Sequence, residues 1–98
     1  MQTFETLQYL VQNWAKDKNL NDWSKQSMKV QEELGELMGS ILKGKRDEEL
    51  DSFGDLLVTI IILANKREVN LVNEFSKAYE IIAKRTGKTV NGTFVKSK

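Results

Sequence analysis

The sequence predicts an all-α domain of four helices that ends in a short hairpin-like tail. Three observations carry this prediction. Apolar residues recur at three- and four-residue spacing in four separate segments. Those segments are bounded by residues suited to helix ends, and the chain contains no proline to interrupt them. One stretch, "KTVNGTFVK", sets an Asn-Gly dipeptide between short β-prone pairs, the strongest local signal for a two-residue hairpin turn. With 98 residues there is room for a single domain, 1–98, in which 86–98 form a basic tail.

The first helix is expected from Phe4 to Lys16, where Phe4, Leu7, Val11 and Trp14 share a face and Thr3 is a good cap. The polar "KDKNLND" connects it to a second helix that starts after Asp22 or Ser24 and ends near Gly44. The apolar stripe of that helix is Val30, Leu34, Leu37, Met38 and Ile41. "GKRD" is a tight link, and Asp47 is the expected cap of a third helix, Glu48 to Lys66, with Glu48 and Glu49 favourably placed at its positive end. From Leu56 to Ala64 this helix is apolar on nearly every side apart from Thr59, as in a helix buried all round. So short a chain has little material to cover it, so a subunit interface is expected there, in a homodimer or homotetramer. A strand reading of "LLVTIIIL" fails because helical signals flank it and no second strong strand exists to pair with it. Asn70 caps a fourth helix, Leu71 to Thr86, which Gly87 is expected to end.

Composition narrows the chemistry. The chain has no cysteine and no histidine, which removes disulfides, thiolate sites and imidazole as base or ligand. Any metal must be held by oxygen, favouring Mg²⁺, Mn²⁺ or Ca²⁺. A net charge of +1 and the lack of a basic face interleaved with aromatics argue against a nucleic-acid partner. The N-terminus does not read as a signal peptide, and the longest apolar run, nine residues, is too short for a bilayer. A cytoplasmic protein without membrane contact is the expectation.

Against that background five carboxylates stand out. Glu32, Glu33 and Glu36 lie on one turn of the second helix, and Glu33 is only about 40° from Leu37 on the helical wheel. Asp51 and Asp55 continue a row from Glu48 into the apolar part of the third helix. Two helices joined by a short link are antiparallel neighbours, so these acidic turns face each other. Crowded, partly buried carboxylates repel, and each costs several kcal/mol to desolvate. A divalent cation offsets this; so would salt bridges from Lys29, Lys43 or Lys45, and an acidic pair on a helix is most often plain solvated surface.

"EELGEL", a short linker, "GDLLVTIIILAN" and a final "NL…" helix resemble the MazG-like nucleotide pyrophosphohydrolases of the all-α NTP pyrophosphatase group, over most of the chain from the first helix to Arg85. The family pattern is E-E-x-x-E followed by E-x-x-D. Glu32, Glu33, Glu36 and Asp55 match it, whereas Ser52 stands where the family has Glu, with Asp51 one residue earlier. The tail resembles a short phage-type and Gram-positive branch.

The resemblance implies Mg²⁺-dependent (with Mn²⁺ as the alternative ion) hydrolysis of a nucleoside triphosphate between the α and β phosphates, giving monophosphate and pyrophosphate. It implies a metal held by Glu33, Glu36 and Asp55, with Asp51 in place of the missing Glu, and Glu32 orienting or deprotonating water. Lys29, Lys84, Arg85 and Lys88 are candidates for binding the leaving pyrophosphate; the last three serve equally well as charge complements at a helix C-terminus. Trp14 and Trp23 are candidates to stack a base, although Trp14 continues an apolar row and suits a core better. Asn65 is placed to bond a base or ribose, or to cap a carbonyl. The rival function is a catalytically degenerate helical module that acts by oligomerisation or partner binding, for which Ser52 and the apolar third helix speak.

Overall fold

A computed structural model describes residues 1–97; Lys98, the end of the basic tail, lies outside the described residues. The elements are α1 (Phe4–Asp17), α2 (Trp23–Leu42), α3 (Arg46–Lys66), α4 (Leu71–Ala83), β1 (Gly87–Val90) and β2 (Thr93–Lys96). The fold is therefore mostly helical with one small antiparallel sheet. Three helices start as their sequences demand: Thr3, Asp22 and Asn70 accept the N–H of Thr6, Lys25 and Asn73 at 3.1, 3.1 and 3.0 Å.

The first three helices end alike. After α2, Gly44 takes φ +69°, its N–H donates to Ile41 O and that of Lys45 donates to Ser40 O. This is the Schellman arrangement. Asn19 (φ 58°) after α1 and Glu68 (φ 58°) after α3 repeat it. Because the motif after α2 is complete at Lys45, α3 begins at once with Arg46, and Lys45 occupies the cap position without a side-chain cap bond. The expectation that Asp47 caps this helix is thus corrected. Asp47, Glu48 and Glu49 instead lie within its first turn, where they complement the helix dipole, and Arg46 is paired with Glu49 at 2.7 Å.

The expected extension of α4 to Thr86 is also corrected. Lys84 and Arg85 donate to carbonyls three residues back, closing a tightened last turn. Thr86 is claimed by the hairpin instead, its carbonyl accepting the Ser97 N–H at 2.7 Å. Gly87 opens β1 and does not end the helix. A Cβ there would collide with the Val95 carbonyl and the Phe94 ring, so the close approach of the two strands is what requires glycine. Asn91 (φ 50°) and Gly92 (φ 80°) form the expected two-residue turn, and Thr89 is opposite Phe94.

The centre of the molecule is the α2–α3 pair. Gln26 at the start of α2 donates to the Thr59 carbonyl late in α3 at 3.2 Å, so the two run antiparallel. α1 packs on α3 through a face containing buried Ala15, and α4 touches α3 lightly. The buried apolar residues are Ala15, Leu37, Ile61 and Ile62; four polar residues, Glu33, Ser40, Ser52 and Thr59, are buried with them. Ser40 and Thr59 satisfy their hydroxyls on the carbonyls of Leu37 and Leu56.

Within one chain α3 is not covered all round. Thr59, Ile61 and Ile62 are buried by the chain's own helices, whereas Leu50, Phe53 and Leu57 are exposed. No helix among the described residues is long and apolar enough to cross a membrane.

Candidate metal centre between α2 and α3

α2 presents three distinct surfaces. Glu33, Leu37 and Ser40 point inward against α3. Glu32 and Glu36 flank this stripe on one side, and Leu34, Met38 and Ile41 lie exposed on the other. One carboxylate oxygen from each of Glu32, Glu33 and Glu36 can be chosen so that all lie within 4.8 Å of one another. Glu33 is the unusual member. It is only 8 % exposed, and its Oε2 is buried without a hydrogen-bond partner among the described residues. Burial above all, then the charges of Glu36 and Asp55, push its carboxyl above the ordinary value of 4.5, with Lys29 opposing.

Lys29 lies one turn before this cluster. Its Nζ is 3.3 Å from Glu32 Oε1 and 3.8 Å from Glu33 Oε1. The hydrogen bond and charge of Glu32 raise the lysine above its usual value. The lysine salt bridge, the alternative to a cation, is therefore present, yet it leaves the second oxygen of Glu33 unpaired.

Two hollows meet at the acidic ridge. One, of about 560 Å³, is bounded by Trp14, Leu20, Gln26, Glu33, Asp55 and Val58, and Lys29 reaches its edge. The other, of about 550 Å³, is bounded by Glu32, Glu36, Glu48, Asp51, Ser52 and Asp55. Asp55 lines both, so the α3 carboxylate expected to oppose α2 does so. Asp51 lines the second hollow from an exposed position, and Ser52 lines it from a buried one. Ser52, which stands where the resemblance calls for a glutamate, thus lines the same space as Glu32 and Glu36, and the adjacent Asp51 shares it.

Other expected residues fall elsewhere. Trp14 is not core: it is 51 % exposed and forms a wall of the first hollow. Its face is free because the α1 residue turned into the bundle is the neighbouring Ala15. Trp23 lines neither hollow; the Arg67 guanidinium stacks on it at 4.6 Å from the ring centre. Asn65, Lys84, Arg85 and Lys88 line neither hollow as well. The latter three follow α4 on the outside of the molecule, so a single chain does not bring them to the carboxylates. Sequence reasoning missed Gln26, although its place two turns before Glu33 on the buried stripe was a usable signal.

The donor set is all oxygen, part of it buried and unpaired. Those are properties a hard divalent cation such as Mg²⁺ or Mn²⁺ matches, so the residues fit such an ion.

Comparison with known proteins adds one relative and no assignment. The chain is 42% identical over 74 residues to an uncharacterized 18.2 kDa protein encoded in the rep-hol intergenic region of Haemophilus phage HP1. The match covers 69% of this chain and 45% of that protein, so the chain spans less than half the length of its relative. No protein-family model matches the sequence. No solved structure matches it.

Proposed function

We propose that this chain is the subunit of an oligomeric, divalent-metal-dependent nucleoside triphosphate pyrophosphohydrolase. The observation that carries the proposal is the buried, partnerless Oε2 of Glu33 within the three-glutamate cluster, facing Asp55 beside a hollow with an apolar wall. Natural chains avoid leaving such an acceptor unpaired, because it costs about 1–3 kcal/mol. A resident cation makes sense of it.

Glu33, Glu36 and Asp55 would hold Mg²⁺ or Mn²⁺, with Asp51 in place of the carboxylate absent at Ser52; the bound ion neutralises phosphate charge and polarises the phosphoryl centre. The exposed face of Trp14 offers a stacking surface for a base in the first hollow. Glu32, whose Oε1 is oriented by Lys29 Nζ at 3.3 Å, accepts the proton of the attacking water. Water adds to the α-phosphorus, the bond to the oxygen bridging the α and β phosphates breaks, and pyrophosphate leaves. Both the likeness to the MazG-like pattern and the facing acidic turns support this chemistry.

The test is product analysis with a panel of NTPs and dNTPs in Mg²⁺, in Mn²⁺ and in chelator. Monophosphate plus pyrophosphate, formed only with metal, is expected. Glu36→Gln and Asp55→Asn should each abolish turnover with unchanged helicity. One observation favours a second reading. Ser52 is buried on the wall where a ligand carboxylate would stand, as in a module that binds partners without catalysis. A melting curve indifferent to millimolar Mg²⁺ and Mn²⁺, together with no turnover, would select it.

A further inference from the structure

The part of the chain from Leu71 onward behaves as an arm. None of the residues of α4 is buried, although Leu71, Phe75, Ala78 and Ile82 form an apolar face at helical spacing; Phe75 is 66 % exposed. The hairpin that follows is exposed along both strands, Phe94 and Val95 included. A two-stranded hairpin is marginal in water unless something packs on it. The Cα radius of gyration is 16.1 Å, against about 13 Å for a compact chain of this length. The arm therefore lacks a cover that its own body does not provide.

Charge identifies the cover. Residues 1–70 carry nine basic and twelve acidic side chains, a net −3; residues 71–98 carry six basic and two acidic, a net +4. Five of the acids of the body, Glu32, Glu36, Glu48, Asp51 and Asp55, line one hollow, against a single basic residue there, Lys43. The basic groups of the arm gather at the end of α4 and on the hairpin, at Lys84, Arg85, Lys88 and Lys96. Arm against arm would oppose like charges, whereas arm against body pairs opposite ones.

We infer that a second copy of this chain covers the arm. The apolar face of α4 seats on the helical body of the partner subunit, and Lys88 and Lys96 lie over its acidic hollow. The contact is reciprocal about a two-fold axis, so each body receives one arm. This deepens the oligomeric part of the proposed function by naming the surfaces that meet. It also supplies each site with the basic groups that one chain keeps away from it.

The absence of cysteine makes the test clean. Lys88→Cys and Glu48→Cys variants are prepared separately, mixed to exchange subunits, and treated with a short bis-maleimide; neither chain can crosslink internally. A crosslinked dimer is expected from the mixture and not from either variant alone. In sedimentation, the wild-type chain at tens of micromolar is expected to be dimeric or larger. Phe75→Glu and Ile82→Glu should each raise its dissociation constant by about tenfold or more. Helicity by circular dichroism should be unchanged, since both side chains are exposed in the single chain. A monomeric wild type overturns both this inference and the oligomeric reading. An oligomer that ignores the α4 substitutions, or that crosslinks through Lys88→Cys alone, overturns the arm-on-body contact and leaves the oligomeric reading standing. Neither readout depends on nucleotide turnover.

Discussion

Replacing Glu33 by Gln should stabilise the metal-free protein and remove its response to metal. In the folded chain Glu33 Oε2 is buried and unpaired, and the side chain faces the charges of Glu36 and Asp55. An unpaired buried acceptor costs about 1–3 kcal/mol. The glutamine is neutral and offers an N–H to those same carboxylates. What is lost is the 3.8 Å pairing with half-exposed Lys29, which solvent screens to a small contribution. The net gain is therefore about 1 kcal/mol, which moves Tm by roughly 4–8 °C in a domain of this size.

The effect depends on pH in a defined direction. The folded state holds the Glu33 proton more tightly than the unfolded state does. Its protonation contributes stability that is fully present below the ordinary value of 4.5 and is lost as pH rises through the raised folded value. The advantage of Glu33→Gln over wild type should thus vanish at acid pH and grow towards neutrality. The assay is thermal unfolding at fixed protein concentration, in chelator and in Mg²⁺, across that range. At a hundredfold excess over its Kd, a cation bound only by the folded state adds about 2.7 kcal/mol to wild type; the variant should show no such gain. A variant less stable than wild type in chelator, or one with an intact Mg²⁺ shift, would refute the reasoning.

Three further outcomes follow from the fold. Glu68 occupies the left-handed position after α3 at φ 58°, where a non-glycine residue costs about 1–2 kcal/mol, so Glu68→Gly should raise Tm by several degrees in a melting scan. Ile62→Ala removes one of four buried apolar side chains and should cost about 2–5 kcal/mol in denaturant titration, a large part of the stability of so thin a core. Gly87→Ala sets a methyl group against the Val95 carbonyl and should erase amide protection in residues 87–96 while leaving the far-UV helical signal intact.

The helices were legible in the sequence because local chemistry fixes them: caps at Thr3, Asp22 and Asn70, and the periodic stripe of Val30, Leu34, Leu37, Met38 and Ile41, of which only Leu37 is buried within one chain. The two misplaced boundaries were set by what the chain does beyond the boundary. Asp47 is an excellent cap by type, yet the turn after Gly44 finishes at Lys45 and leaves no room to delay α3. Thr86 could extend α4, yet strand pairing with Ser97 competes for it. The same division runs through the site. Asp55, at the head of an apolar run, lines both hollows yet stays exposed. Glu33 was readable as lying beside the buried stripe from its angle to Leu37. Trp14 was not, since an apolar row can face a hollow as well as a core. Nor were Lys84, Arg85 and Lys88: sequence proximity to a helix end says nothing about which body, or whose, that end approaches.

The link between α2 and α3 ties fold to site. Its three residues, Lys43 to Lys45, are used up in closing one helix and starting the next, with Gly44 held in a conformation that suits glycine best. Such a connection has little slack, so the spacing between the Glu33 turn and the Asp55 turn is set by the hairpin and not by the side chains at the site. Burial of Ile62 and the Gln26 to Thr59 bond hold the far end of the pair in register. Carboxylates that repel one another would spread apart on flexible elements. Here they are kept together by a scaffold whose stabilising contacts lie elsewhere along the same two helices. Removing the scaffold's rigidity without touching a carboxylate should therefore impair the site. Inserting two glycines between Gly44 and Lys45 is expected to leave helicity near wild type yet weaken Mg²⁺-dependent stabilisation. An unchanged Mg²⁺ shift in that insertion variant would show that the glutamates of α2 bind the ion without help from α3.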